Sequence, residues 1–128
     1  MATIKSYTDL EQSRKLADIL PLESADMKIL PFTEREYRIV PINDISVCGR
    51  EDEIYAWSLS ALINIIPQEL FNGEYIINIT EGINNKWIIT YDHYENRNNS
   101  YYGLSTCADN LVDACTDIII KLKERNII

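Results

Sequence analysis

Two runs of strand-forming residues, joined by a short polar segment, constrain the fold of this 128-residue chain more than any other feature. Residues 75–80 and 86–92 are rich in Ile, Tyr, Trp and Thr, which suit the pleated surface of a β-sheet. The segment between them contains one Gly and two Asn residues, which tolerate the positive φ angles of tight turns. The pattern predicts a β-hairpin with its loop at residues 81–85.

The pairing of this hairpin decides which side chains share a face, because neighbouring residues on a strand point to opposite sides of the sheet. A loop at residues 81–85 makes one face wholly apolar or aromatic, whereas a tight turn at Asn84 and Asn85 mixes the faces. The predicted pairs are Ile79 with Trp87, Ile77 with Ile89 and Tyr75 with Tyr91.

The opposite face of the hairpin is mixed, and it is the candidate surface for contact with a partner. It carries Ile76, Asn78, Thr80, Ile88 and Thr90. Three explanations are open: the first helix covers this face, its exposure is tolerated, or it binds another copy or a different protein. The first two are favoured, because single exposed isoleucines are common in monomers.

Two segments in the first half of the chain have apolar residues at helical spacing. The first predicts a helix at residues 9–20, preceded by a capping box in which Thr8 and Glu11 bond to each other's backbone amides. The second predicts a helix at residues 59–66, capped by Ser58 and ended by Pro67.

The most regular helical pattern lies near the carboxyl end of the sequence. Its possible caps are Ser105, Thr106 and Asn110, and Asn126 can end the helix in the left-handed conformation. One face is apolar and must find a partner, so we expect this helix to pack on the 75–92 hairpin. The residues of that face are Leu111, Cys115, Ile118 and Leu122.

Shorter strand signals complete the predicted fold. Residues 27–32 and 37–42 predict a further hairpin, and residues 101–104 can add a strand, whereas residues 43–53 have the composition of a solvated loop. The chain is therefore predicted to be a single α+β domain over residues 1–128, with a small antiparallel sheet of three to five strands packed with three helices.

The charge of the chain limits its partners. A formal net charge of −8 and a pI near 4.6 repel phosphate backbones, so nucleic acid is not expected as a ligand. The same charge permits an alternative function, an acidic nucleic-acid mimic that acts as an anti-restriction or regulator-binding decoy. Its acidic groups lie at residues 44–53 and 109–117.

Compartment is inferred from three further features. The first residues carry no apolar signal region, and no apolar run approaches the roughly 18 residues that span a bilayer. The three cysteines, Cys48, Cys107 and Cys115, are an odd number without redox or zinc-ribbon spacing. We expect a cytoplasmic protein with reduced thiols and no contact with a membrane.

No familiar catalytic or cofactor motif occurs in the sequence, and the single histidine, His93, rules out a multi-histidine metal site. One alternative is an unrecognised enzyme that uses Asp92, His93 and Glu95 as base and orienting carboxylates, although a solvated strand end is the simpler explanation. Asp109, Asp113 and Asp117 align on a helix face, which is more simply a solvated surface than a metal site. No catalytic residue, metal or cofactor is predicted.

Three segments together resemble small uncharacterised proteins of gut Bacteroidales and their phages or mobile elements. They are SYTDLEQSRKLADILPLESADM, AWSLSALINIIP and NLVDACTDIIIKLKERNII, which cover about two-fifths of the chain. The resemblance implies a cytoplasmic accessory protein of unknown function and transfers no catalytic residue. The resemblance, the absence of familiar catalytic and cofactor motifs from the sequence, and the abundance of Tyr and Asn together favour a non-enzymatic protein. Such a protein would act through an unidentified protein partner or through self-association.

Overall fold

The computed structural model describes residues 5–31, 37–43 and 54–128. Within them the chain forms three α-helices and two antiparallel sheets, which confirms the predicted α+β class. In chain order the elements are α1 (Leu10–Ile19), β1 (Met27–Pro31), β2 (Tyr37–Pro41), β3 (Ile54–Ala56), α2 (Leu59–Ile65), β4 (Glu69–Leu70), β5 (Tyr75–Glu81), β6 (Trp87–His93), β7 (Thr106–Ala108) and α3 (Leu111–Glu124).

The strands form two sheets rather than the single sheet that the sequence predicted. The first has the order β2-β1-β3 and contains the predicted first hairpin, and the second has the order β4-β5-β6-β7. The unforeseen strands β3 and β4 are only three and two residues long, too short to show an alternating pattern. Most of the loop predicted at 43–53 lies outside the described residues.

The prediction of a strand at residues 101–104 is wrong. β7 begins instead at Thr106 and pairs with β6, and residues 100–101 make only local contacts with it: a bridge from Ser100 to Asp92 and a 2.7 Å hydrogen bond from the Tyr101 amide to the Tyr91 carbonyl. Gly103, with φ at 75°, lies in the turn between these segments, and a strand cannot continue through that conformation.

The second hairpin is confirmed, but its register differs from the prediction by two residues. Glu81 pairs with Trp87, and the Gly82 amide donates to the Lys86 carbonyl at 2.7 Å, which leaves a turn at Ile83–Asn85. The observed pairs include Ile79 with Ile89, Ile77 with Tyr91 and Tyr75 with His93. Because a shift of two residues keeps every side chain on its face, the predicted faces are preserved.

The caps of α1 and α3 differ in part from the prediction. The capping box of α1 is formed by Asp9 and Gln12, one residue later than expected, because the Thr8 hydroxyl instead bonds to Ser13 at 2.7 Å and accepts the Trp57 amide at 3.1 Å. Of the three candidate caps of α3, Ser105, Thr106 and Asn110, it is Asn110 that caps the helix, by accepting the Asp113 amide.

The remaining helix ends follow the prediction. Ser58 caps α2 by accepting the Ala61 amide. Asn126 adopts a φ of 57°, and the amides of Asn126 and Ile127 donate back to the Lys123 and Leu122 carbonyls, the paired bonds of a Schellman motif.

The main core lies between α3 and the second sheet, with α1 and α2 closing it from the side of the first sheet. α3 packs on β6 and β7 as expected for the two apolar faces, and it also contacts α1 and α2. The largest fully buried side chains include Leu16, Trp57, Leu62, Ile89, Tyr91, Leu104, Ile118, Ile119 and Leu122. On the other side of the second sheet Ile76, Asn78 and Thr80 of β5 are exposed, whereas Ile88 and Thr90 of β6 line a cavity of about 540 Å³ that residues of α3, among them Asp117 and Ile120, also border.

Candidate interaction surface

The outer face, which we define as Ile76, Asn78, Thr80, Ile88 and Thr90, lies on the side of the second sheet opposite to the core. The first three side chains are exposed and the last two are half-buried. α1 does not cover this face, because its main contacts are with β3 and α3. Of the three explanations, coverage by the first helix is therefore wrong.

Ile76 and Ile88 occupy different environments on the outer face. Ile76 is 43% exposed, at the β4 side of the sheet, and pairs with Asp92. Ile88 pairs with Thr80 and packs on Gly82, where an added Cβ would lie 2.7 Å from the Ile88 Cδ1. Ile88 therefore has a structural contact, whereas Ile76 presents its side chain to solvent.

The polar part of the outer face is held by one carboxylate. Asp92 is 9% exposed, and it accepts hydrogen bonds from Asn78 Nδ2 at 3.1 Å and from the Ser100 hydroxyl at 2.7 Å. These bonds fix the Asn78 side chain beside Ile76 and tie the 94–100 loop to the sheet. The outer face is thus an ordered mixed surface, and its ordering lowers the entropy cost of any contact made there.

The structure does not bring Asp92, His93 and Glu95 together. Asp92 and His93 are neighbours on β6, so their side chains project from opposite faces of the sheet. His93 Nδ1 accepts the Glu95 amide at 3.2 Å and its Nε2 is 4.0 Å from the Glu74 carboxylate, while the Glu95 carboxylate accepts the Tyr94 hydroxyl at 3.0 Å. No base with an orienting carboxylate is formed by these three residues.

The predicted acidic row is largely a solvated surface, as expected: the side chains of Asp117 on α3 and of Asp109, which precedes α3, are exposed, and that of Asp113 is half-buried. Asp109 forms an ion pair with Lys86, and Asp113 forms one with Lys5 at 2.7 Å. Burial acts to raise the pKa of Asp113, but hydrogen bonds from Lys5, Gln12 and Asn110 outweigh it and hold the pKa below its ordinary value.

Two further findings concern this acidic row. Burial and the charge of Asp113 raise the pKa of Asp117, while Lys121 and Lys15 act to lower it. Among the residues that the structure describes, no group of three or more His, Cys, Asp or Glu side chains could hold a metal ion. The second acidic segment, at 44–53, lies outside the described residues.

Both cysteines within the described ranges are free thiols, and their environments differ. Cys107 is exposed on β7, whereas Cys115 is fully buried in α3, where burial raises its pKa to about 12. Cys115 is a core residue, and Cys107 lies beside Ile88 with no described partner for metal or disulfide chemistry. Cys48 falls outside the described residues.

An exposed aromatic cluster was not anticipated from the sequence. Phe71 is 50% exposed and lies with its ring centroid 5.3 Å from that of Tyr101, and Tyr75 contacts both rings and His93. Phe71 adopts a φ of 55° and opens a run of three left-handed residues, a rare conformation for a bulky side chain. The only sequence signal was the turn pattern at 71–73, because the aromatic residues are spread over thirty positions and have no common spacing.

The cluster borders a groove of about 690 Å³ between β4 and the carboxyl end of α3. Arg125 lies over the Tyr101 ring, 5.6 Å from its centroid, and Glu69 also lines the groove. The groove therefore places a cation, an acid and two aromatic rings together.

Comparisons with protein-family models, curated proteins and solved structures gave no match to this chain. The described helices include none with both the length and the apolar character needed to cross a membrane. The case for a function therefore rests on the surfaces described above.

Proposed function

We propose that this chain is a non-enzymatic accessory protein that acts through protein–protein interaction, with the outer face as its contact surface. The observation that carries the proposal is the environment of Ile76: a 43% exposed isoleucine on a sheet face, beside an Asn78 amide that is held by the nearly buried Asp92. An exposed apolar side chain among ordered polar groups is suited to contact, because little freedom is lost on binding.

The cellular setting is part of the same proposal. The resemblance to small proteins of gut Bacteroidales and their mobile elements favours a bacterial cytoplasm, and a phage or mobile element as the source of the gene. The net charge of −8 favours a partner with basic groups over a nucleic acid. The nucleic-acid mimic is less supported, because Asp109 and Asp113 are neutralised by Lys86 and Lys5.

The experiment compares Ile76→Thr with Ile63→Thr in pull-downs from a Bacteroidales lysate. Ile63 is also 43% exposed, but it lies on α2 and not on the outer face, so it is a matched control. We expect Ile76→Thr to lose a specific protein partner while Ile63→Thr keeps it, with the unfolding midpoints of both variants close to that of the unmodified chain. Equal capture by the two variants would show that the outer face is not the contact surface.

A further inference from the structure

The groove beside β4 contains a guanidinium that is held in place but has no anionic partner in the described part of the chain. Arg125 lies over the Tyr101 ring, and it packs so closely on Gly103 that a Cβ there would overlap the guanidinium. Among the residues that the structure describes, none accepts a hydrogen bond from the Arg125 side chain or forms an ion pair with it. Its planar fork of donors is therefore free, and a carboxylate fits such a fork through two parallel hydrogen bonds.

The carboxyl end of α3 does little to oppose an anion at Arg125. Unpaired carbonyls at a helix end carry partial negative charge, which would repel a carboxylate. The carbonyls of Lys121, Leu122 and Lys123 instead accept the amides of residues 125–127. The positive guanidinium therefore dominates this side of the groove.

Phe71 lines the same groove as Arg125 and offers it an apolar surface. Its side chain is 50% exposed, and its ring centroid lies 5.3 Å from that of Tyr101. The φ of 55° at Phe71 is a left-handed conformation that costs a bulky residue free energy and that Asn adopts more readily. The turn alone therefore does not explain a Phe at this position. Ring and guanidinium together fit a carboxylate that has an aromatic side chain next to it.

β4 also offers backbone groups at this place. Gln68 and Leu70 face β5, because the Ile77 amide donates to the Gln68 carbonyl at 2.9 Å and Leu70 pairs with Tyr75. Directions alternate along an antiparallel strand, so the N–H and C=O of Glu69, which lines the groove, point away from β5. No described backbone group bonds to them. An extended segment can therefore pair with β4 at this position, as in β-strand addition.

We propose that this groove binds the carboxyl terminus of a partner protein, with an aromatic last residue and a Lys or Arg immediately before it. The terminal carboxylate bonds to Arg125, and the terminal side chain packs on Phe71. The residue before it lies opposite Glu69. Because opposite residues on paired strands project from the same face, its cation meets the Glu69 carboxylate, which has no ion pair within the described residues.

The size and the charge of the site agree with such a segment. The groove volume of about 690 Å³ is inside the usual range of about 300 to 1,000 Å³ for ligand sites. Three extended residues span about 10 Å, which is comparable with the width of a groove of this volume. The net charge of −8 attracts the basic residue, and it opposes a phosphate group, the other anion that suits a guanidinium fork.

The test uses the peptide acetyl-Gly-Ser-Lys-Phe, made with either a free carboxylate or an amide at its carboxyl end, and isothermal titration calorimetry with the full chain. We expect the free acid to bind at least about tenfold more tightly than the amide, because the amide loses the charge-assisted bonds to Arg125. Arg125→Gln should remove this difference. Arg97→Gln is the matched control, because it removes an exposed guanidinium that does not line the groove, and it should keep the difference.

A second variant tests the contact with the terminal side chain. Phe71→Asn removes the ring and keeps the left-handed turn, since Asn tolerates that conformation. The unmodified chain should prefer the Phe-terminated peptide to an Ala-terminated one, and Phe71→Asn should bind the two alike.

Equal affinity of the unmodified chain for the acid and the amide, or no binding up to millimolar peptide, overturns the proposal. That comparison needs no variant, so it decides the matter even where Arg125→Gln does not fold. A preference for the acid that persists in folded Arg125→Gln overturns the proposal as well. None of these results affects the outer-face proposal, which Ile76→Thr tests by capture of a different partner.

Discussion

Replacement of Ile118 by alanine tests the packing of α3 on the second sheet. Ile118 is 0% exposed in the core cluster. The change removes about three methylene equivalents at about 0.8 kcal/mol each, or about 2.4 kcal/mol. The cavity left behind adds to this cost, and the higher helix propensity of alanine offsets at most about 0.7 kcal/mol. The free energy of unfolding should fall by about 3 kcal/mol, inside the usual range of about 2 to 5 kcal/mol for such changes.

Urea unfolding, followed by the fluorescence of Trp57 and Trp87 and by far-ultraviolet circular dichroism, measures this loss. Trp57 is fully buried and reports on the interior. Ile63→Ala is the control, because Ile63 is 43% exposed and its replacement should cost less than about 1 kcal/mol. If Ile118→Ala unfolds at the same urea concentration as Ile63→Ala with an unchanged slope, α3 does not bury the face assigned to it.

Two other predictions concern titratable groups. The Lys5–Asp113 pair lowers the pKa of Asp113 and raises that of Lys5. Its contribution to stability should therefore be fully present between the ordinary pKa values of the two groups, 3.8 and 10.5. It should be lost at lower pH, where Asp113 is protonated, and at higher pH, where Lys5 is deprotonated. Comparison of unfolding midpoints of Asp113→Asn and the unmodified chain across pH measures this, and a constant difference would contradict it. Iodoacetamide at pH 8 should label Cys107 in the folded protein and Cys115 only after unfolding, as read by peptide mass spectrometry, since Cys115 is buried with a pKa raised to about 12. Equal labelling rates would show that α3 opens readily.

The faces of the second hairpin could be predicted from the sequence, but its register could not. Alternation fixes only whether the odd-numbered or the even-numbered residues of a strand face the core. A shift of two residues in the pairing therefore leaves the apolar side chains on the same face. The choice between registers lies in the turn, where the Gly82–Lys86 bond and the left-handed Asn84 and Asn85 favour a tighter connection. Such local backbone terms are small beside burial, so a hydrophobic pattern does not reveal them.

The capping of α1 shows the same limit at a helix end. Thr8 and Asp9 are both good caps, and the local sequence does not rank them. The choice depends on Trp57, 49 residues away, whose amide bonds to the Thr8 hydroxyl and removes it from the helix. A long-range contact therefore overrides a local signal, and only the folded structure contains it.

The position of Asp92 follows from strand alternation in the second sheet. Strand alternation places Asp92 on the opposite face from His93, which removes the orienting carboxylate that the sequence had suggested for catalysis. The same alternation places the Asp92 carboxylate where it accepts hydrogen bonds from Asn78 and Ser100, and these bonds order the outer face. The three residues that first suggested chemistry thus make separate contacts: Asp92 bonds to Asn78 and Ser100, whereas the Glu95 carboxylate accepts the Tyr94 hydroxyl.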